Sequence, residues 1–368
     1  MTLWLRQLQP AAFQEACDRA VPHLELLNHA LVSSQLPRFA ALLRKLDKRL
    51  EVELLGESNE WVITYNTQAA VPLAEWLAAK LQSTRPLHVG HPARGPAAGL
   101  FSAAAAGVDL KTARVRVGFA RGHLLDIYVF VPLDVAGTHE QLQVAAELYL
   151  ESALGDEVLD LWVGQVAVDR MARARGLVVV SGGRDVADSY PLHEVVQLVE
   201  RGISALSAEL PSNLLAVSTT TSDWAALTLE RTQEDEGVLQ PDRVFASTRF
   251  PEALKSCLSG LPFSSVRFAK GGEILIWARW TSVGGSTRLA LRERVEVSLT
   301  ESTQADPYFL LAGTGFGQLH DYVDLWIRPD AQCIATLGRL LAELTGAVTL
   351  GFYDARWSEQ LLSFQANG

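Results

Sequence analysis

The feature that most constrains the fold is the order in which the apolar periodicity changes along the chain. Apolar residues recur every three or four positions through the first fifty residues, which predicts helices. From residue 51 the period shortens to two, and alternating runs then flank helical runs in each half of the chain. A parallel sheet needs strands and helices in regular βαβ order, and neither half shows it. The sequence therefore predicts an α+β protein whose sheets are mainly antiparallel and packed with helices.

The length of the chain supports more than one hydrophobic core. At roughly 150 residues per domain, 368 residues correspond to about two domains. A stretch rich in serine, threonine and proline lies between two strand-rich halves and is typical of a linker. We predict an N-terminal helical segment at 1–50, a first α+β domain at 51–206, a linker at 207–223 and a second α+β domain at 224–368.

Local patterns predict the individual elements. Thr138 and Gln141 have the spacing of a capping box and begin a helix that runs to about residue 153. Asp330 caps another helix that Gly346 ends. Further helices are predicted at 71–81 and 191–206. Strands are predicted at 52–55, 61–65, 114–120, 124–131, 159–168, 214–217, 224–230, 244–247, 274–281, 289–299, 323–327, 347–353 and 361–364. The Gly-, Ala- and Pro-rich stretch 88–107 is predicted to be a loop.

Composition and charge exclude several classes of protein. The 32 basic and 42 acidic residues give a net charge of -10, which disfavours nucleic acid as a partner because phosphate binding needs basic surface. No window holds the roughly 18 consecutive apolar residues of a membrane helix. The N-terminal residues lack the apolar core of a signal peptide, and the three cysteines are too far apart in sequence to suggest a disulfide framework. We therefore expect a cytoplasmic protein with no membrane partner.

Short motifs in the first half carry a family resemblance. In order, they are Trp61-Val-Ile-Thr64, Val129-Phe-Val-Pro132, Leu154-Gly-Asp-Glu157, Trp162-Val-Gly-Gln-Val166 and Pro191-Leu-His-Glu194. Their order and spacing over 51–201 resemble a family of uncharacterised bacterial proteins, a domain of unknown function sometimes fused to a domain similar to regulator of ribonuclease activity B. Leu350-Gly-Phe-Tyr353 resembles the closing strand of that fused domain. The resemblance implies an α+β fold, and it assigns no catalytic residue.

Two groups of residues have the chemistry of metal ligands. His88 and His91 are three positions apart, and His320 lies close to Asp321 and Asp324. Metal sites need three or four ligands, and neither group is completed by nearby residues. We therefore predict no metal and no cofactor.

No complete catalytic motif is present. The glycines of Gly313–Gly317 miss the dinucleotide-binding spacing, which predicts a loop or bulge there. Ser181 precedes two glycines but has no recognisable histidine and acid partners, so the catalytic residues stay unknown.

Tryptophans suggest how the protein functions. Trp277 and Trp280 are three positions apart in a predicted strand and so point to opposite faces, which predicts that one of them is exposed, together with Trp357. Exposed tryptophans anchor interfaces. We therefore expect a non-enzymatic binding or regulatory protein that acts through a protein–protein surface, with a protein partner or a homo-oligomer. The alternative is an enzyme whose site is assembled from the loops 88–107 and 313–317.

The likeness of Leu159–Trp162 to Val323–Trp326 raises the further possibility of a duplication.

Overall fold

A computed structural model describes most of the chain. The described residues are 7–55, 60–81, 87–174, 177–180, 189–216, 224–228, 242–257, 262–284, 286–302 and 308–366. The chain divides into two compact units. Unit 1 comprises Met1–Val52, Tyr65–Arg85 and Pro211–Gly368, and unit 2 comprises Glu53–Thr64 and Pro86–Leu210. Helices and strands coexist in several antiparallel and mixed sheets, so the predicted α+β class is confirmed.

The helices and strands are numbered here in chain order. The helices are α1 Ala11–Ala20, α2 Leu24–Val32, α3 Leu36–Leu46, α4 Val71–Lys80, α5 Pro96–Ala105, α6 His139–Leu154, α7 Asp156–Trp162, α8 Val195–Ala208, α9 Pro251–Cys257, α10 Ser286–Ser302 and α11 Ala331–Thr345. The strands are β1 Leu50–Leu55, β2 Glu60–Tyr65, β3 Leu87–Val89, β4 Arg114–Ala120, β5 Leu124–Pro132, β6 Val163–Ala174, β7 Leu177–Val180, β8 Tyr190–Pro191, β9 Ala225–Thr228, β10 Arg243–Thr248, β11 Ile274–Thr281, β12 Phe309–Gly317, β13 His320–Ile327, β14 Ala347–Phe352 and β15 Leu361–Gln365.

Unit 1 is built on a seven-stranded sheet whose described pairings are all antiparallel. The strand order is β15-β14-β11-β13-β12-β10-β9. One face of β11 contributes Trp280 to a core shared with α10 and α11, and the other contributes Trp277 to a second core. The two indoles do point to opposite faces, but the prediction that one is exposed is wrong, because both faces of this sheet are covered.

The N-terminal helices belong to unit 1. Leu8 packs against the core of the seven-stranded sheet, and α1 contacts α4 and β15. Residues 1–50 therefore group with the C-terminal half, whereas the sequence suggested a separate segment. The boundary of the two units at Leu210 and Pro211 lies within the predicted linker 207–223. Arg49, which follows α3, forms ion pairs with Asp47 and with Glu359 of the same unit.

The predicted strand at 289–299 is wrong, since this segment lies in α10. Leu291, Val295 and Leu299 pack against the core and are four residues apart, the spacing of a helix face. Val297, which supported the alternating pattern, is exposed. The predicted strand at 214–217 is also wrong, because Leu214–Ala216 forms a 3-10 turn.

Unit 2 is built on a five-stranded sheet with the order β7-β6-β5-β4-β8. Its pairings are antiparallel except β5 with β6, which run parallel and are connected through α6 and α7. Residues of α5, α6 and α8 pack on this sheet and form its core. The capping box at Thr138 and Gln141 is confirmed at the start of α6.

Two expectations in unit 2 are wrong. The predicted loop 88–107 contains the end of β3 and the whole of α5, because Pro96 begins a run rich in alanine, the residue with the highest helix propensity. The predicted strand 159–168 begins instead as α7 and becomes strand β6 only at Val163. Leu159–Trp162 is thus helical while Val323–Trp326 is strand, so their likeness is not a structural repeat.

β1, β2 and β3 form a further sheet in that order, with β2 and β3 parallel. Among the described residues, no helix is both long enough and apolar enough to cross a bilayer.

Candidate functional site

The residues that follow β3 in unit 2 are held against the junction of α6 and α7 by main-chain contacts. The backbone N–H of His91 donates to Asp156 Oδ2 at 2.8 Å, and the N–H of Asp156 donates to the carbonyl of His91 at 3.0 Å. Gly155 lies at this junction with a φ of 79°, and a Cβ there would lie 2.7 Å from the backbone N of Ala93. Glycine is therefore required for both the backbone conformation and the close approach.

Three side chains converge at this point and define the His91 cluster: His91, Glu151 and Asp156. His91 Nδ1 lies 2.6 Å from Glu151 Oε1 and 3.2 Å from Asp156 Oδ2. On the other side of the ring, Nε2 lies 3.5 Å from Glu53 Oε2. One imidazole thus faces three carboxylates.

The cluster is only partly shielded from solvent. The side-chain exposure is 18% for His91, 30% for Glu151 and 20% for Asp156. Burial of the ring, the largest single influence, lowers the pKa of His91, but hydrogen bonds to Asp156 and Glu151 and the charges of both carboxylates raise it to about 10. His91 is therefore an imidazolium at neutral pH when nothing else occupies the cluster.

Contacts next to the His91 cluster hold the start of α5 against α6. Arg94 donates its backbone N–H to Ser152 at 2.8 Å, and the hydroxyl groups of Ser102 and Ser152 are 2.7 Å apart. A Cβ on Gly99 would lie 2.6 Å from the carbonyl oxygen of Tyr149, so α5 packs on α6 with its backbone almost in contact. α5 is therefore held firmly against α6.

The outer face of α5 is apolar and exposed. Phe101 is 74% exposed, and Ala97, Ala104 and Ala105 are exposed on the same side of the helix. No charged residue occurs anywhere from 95 to 108. We refer to Ala97, Phe101, Ala104 and Ala105 as the α5 face.

Unit 2 also has a cavity of about 260 Å³ along α6, α7 and β6. Glu147 and Asp160 are among its lining residues. Its volume lies just below the roughly 300–1,000 Å³ of pockets that enclose small molecules.

The histidines and aspartates that have the chemistry of metal ligands do not form the two groups that their sequence positions suggested. His88 Nε2 lies 3.5 Å from Glu60, whereas His91 joins Glu151 and Asp156, so the two histidines have different carboxylate partners. His320 contacts Asp242, Asp321 pairs with Arg288, and Asp324 pairs with Arg243. Because Asp321 and Asp324 are an odd number of positions apart in β13, they point to opposite faces of the sheet.

Asp324 belongs to a buried group in unit 1, the Arg243 cluster, which comprises Arg243, Asp324 and Tyr353. Arg243 donates to both carboxylate oxygens of Asp324, at 2.9 and 2.7 Å, and the hydroxyl of Tyr353 donates to Asp324 Oδ1 at 2.7 Å. The side chains of Arg243 and Asp324 are 2% and 3% exposed. Every charge in this group therefore has a partner inside the protein.

Two glycines of Gly313–Gly317 make room for that cluster. They lie in β12 and not in a loop, with an irregular register between Leu311 and Gly313. A Cβ at Gly313 would lie 2.9 Å from Asp324 Oδ2, and one at Gly315 would lie 2.5 Å from Arg243 Nε. The alternating glycines are thus explained by packing. Ser181, the other catalytic candidate, lies outside the described residues.

The sequence identified His91 but not the residues that complete its cluster. Glu151 and Asp156 are about sixty positions further along the chain, on either side of the helix end that Leu154-Gly-Asp156 predicts. That predicted helix end was the sequence feature that could have located Glu151 and Asp156, since a glycine at the end of a helix permits close approach of another segment.

Comparisons with family models, with curated proteins and with solved structures return no match. The family resemblance over 51–201 therefore stays a prediction.

Proposed function

We propose that the protein is a non-enzymatic binding protein of the cytoplasm that associates with a second copy of itself through the α5 face. Phe101 is the observation that carries this proposal. An aromatic side chain that is 74% exposed leaves a large apolar area in water. Aromatic residues of this kind are enriched at the centres of protein interfaces.

The close packing of α5 on α6 supports a role of α5 in recognition. Close packing of Gly99 on Tyr149 and the contacts of Arg94 and Ser102 with Ser152 hold the helix in place. A preorganised helix loses little conformational entropy when it binds a partner. The exposed alanines beside Phe101 let the backbone of a second helix approach closely.

Charge limits where two copies of the chain can meet. Two chains that each carry a net charge of -10 repel each other over most of their surfaces. The uncharged segment 95–108 is a place where they can meet without bringing like charges together. Salt screens the repulsion and leaves the apolar contact, so association should strengthen with ionic strength.

The size of the face sets the expected affinity. A ten-residue helix is about 15 Å long, and its face is far smaller than the roughly 800 Å² per partner of a stable interface. We therefore expect association at roughly micromolar or weaker affinity, with neighbouring surface contributing the remainder.

Sedimentation velocity over a concentration series tests the proposal. We expect the wild-type protein to self-associate, and Phe101→Asp to weaken association by at least about tenfold because it places a charge in an apolar contact. Phe119→Asp is the matched control, since Phe119 is a similarly exposed phenylalanine of the same unit, at the end of β4.

A wild-type protein that stays monomeric at the highest soluble concentration in high salt would contradict self-association. Equal effects of Phe101→Asp and Phe119→Asp would show that α5 is not the contact.

A further inference from the structure

The His91 cluster brings together three atoms of the kinds that bind metal ions in proteins. His91 Nδ1, one oxygen of Glu151 and one of Asp156 all lie within 4.8 Å of one another. They come from two segments that two hydrogen bonds already hold together: the backbone N–H of His91 donates to Asp156 Oδ2, and the backbone N–H of Asp156 donates to the carbonyl of His91. The donor atoms are therefore gathered before any ion arrives, which lowers the cost of binding one.

The charges around the cluster favour a divalent cation. The carboxylates of Glu53, Glu151 and Asp156 surround one imidazole ring. In the described part of the chain, no lysine or arginine forms an ion pair with these three carboxylates. Arg94, the nearest arginine in sequence to His91, is 3.7 Å from Glu60 instead. A doubly charged ion bound here would be attracted by all three carboxylates.

The distances suit a small ion after a slight adjustment. Two ligand atoms about 2.1 Å from a metal ion, at octahedral or tetrahedral angles, are about 3.0–3.4 Å apart. The separation of 3.2 Å between His91 Nδ1 and Asp156 Oδ2 falls in that range, and the 2.6 Å to Glu151 Oε1 needs to lengthen by a few tenths of an ångström. Rotation of the glutamate side chain, which is 30% exposed, provides that movement.

We propose that unit 2 binds one zinc ion through His91 Nδ1, Glu151 and Asp156. An imidazole nitrogen with two carboxylates matches the nitrogen and oxygen ligands of zinc, whereas magnesium and calcium prefer oxygen alone. Three protein ligands leave at least one position for water, and the partial exposure of all three side chains gives the ion a way in. The bound ion would crosslink the segment that precedes α5 to the C-terminal end of α6. This proposal does not depend on the proposed function, because it needs no second copy of the chain.

Calorimetric titration of the full chain with zinc chloride, after removal of metals and with excess magnesium present, tests the proposal. We expect one zinc per chain with a dissociation constant of about 10 µM or tighter. Glu151→Gln should weaken binding by at least about tenfold, and Glu151→Gln combined with Asp156→Asn should abolish it. His88→Gln is the matched control, since it removes a nearby histidine that also faces a carboxylate, Glu60.

Manganese supplies a readout that needs no variant. Added to the wild-type protein, this paramagnetic ion should broaden the amide resonances of residues 91 and 156 before those of 88, whether or not the Glu151 variants fold. Zinc binding weaker than about 100 µM in the wild type would overturn the proposal, as would equal losses in Glu151→Gln and His88→Gln or broadening spread evenly over the acidic surface.

Discussion

The Arg243 cluster of unit 1 and the His91 cluster of unit 2 both join distant residues through charge, but they differ in balance and in burial. In the first, one guanidinium meets one carboxylate and a tyrosine hydroxyl, with both charged side chains at most 3% exposed. In the second, one imidazole faces three carboxylates, and its side chain is 18% exposed.

This difference separates a structural group from a site that can exchange a ligand. A balanced, buried pair can lose neither partner without leaving a charge in a medium of low polarity. A partly exposed cluster with excess negative charge can exchange a proton for a metal ion, because water reaches it and the added charge is favourable. We therefore regard the Arg243 cluster as a structural group and propose ligand binding only for the His91 cluster.

The largest effect is expected from breaking the Arg243 cluster. Asp324→Asn removes the carboxylate that pairs with the buried Arg243, which should lower the free energy of unfolding by about 3–5 kcal/mol. Urea denaturation at pH 7 measures it. The double variant Arg243→Met with Asp324→Leu should be less destabilised than Asp324→Asn alone. If both variants unfold at the same urea concentration, the single change does not act through an unpaired charge.

Adding a methyl group next to the Arg243 cluster should have the next largest effect on stability. Gly315→Ala adds a Cβ 2.5 Å from Arg243 Nε and from the carbonyl of Phe245, which should cost about 2–3 kcal/mol of unfolding free energy. Gly284→Ala is the control, because a Cβ there has nothing within 4 Å. Equal denaturation curves for the two variants would show that the glycines of β12 do not make room for Arg243.

Removing the histidine of the His91 cluster should have a smaller effect that depends on pH. The folded-state pKa of His91, about 10, lies above its ordinary value of 6.5. The stabilisation is therefore complete below about pH 6.5 and is lost as the pH rises towards 10. In metal-free buffer, His91→Gln should cost about 2 kcal/mol at pH 6 and much less near pH 10. A cost that does not change with pH would show that the carboxylates do not hold an imidazolium.

The smallest effect on stability is expected at the α5 face. Phe101→Ala removes a side chain that is 74% exposed, so the free energy of unfolding should change by less than about 0.5 kcal/mol. Thermal and urea denaturation below the concentration of self-association check this. A decrease of about 2 kcal/mol or more in the free energy of unfolding would mean that Phe101 is part of a hydrophobic core and is not available for contact with a partner.

The fold was predictable where one local signal acted alone. The hairpin of β4 and β5, the capping box at Thr138 and the helix between Asp330 and Gly346 followed from alternation and capping residues, and the structure confirms them. The error at 289–299 arose because Val295, Val297 and Leu299 satisfy a strand period, while burial selects the helix period of Leu291, Val295 and Leu299. Tertiary packing decides between two patterns that coexist in one sequence.

The candidate site was predictable only in part. The spacing of His88 and His91 suggested His91, and the predicted helix end near residue 153 was the only local sign of the segment with Glu151 and Asp156. Packing alone brings that segment to His91. Gly313 and Gly315 show the reverse: glycines that suggested a loop or bulge are explained by the volume of Asp324 and Arg243 beside them. Long-range contacts determine the structural role of such residues, and these contacts cannot be identified from a single sequence.

Hydrogen exchange measured at two protein concentrations tests the central claim, that unit 2 carries the binding surface, most directly. Peptides covering 96–105 should exchange several-fold more slowly at about 100 µM than at about 1 µM, since the α5 face is covered only in the associated state. Peptides covering 309–327, around the Arg243 cluster, should exchange at the same rate at both concentrations. Unchanged exchange over 96–105, or protection that appears in 309–327 instead, would contradict the account.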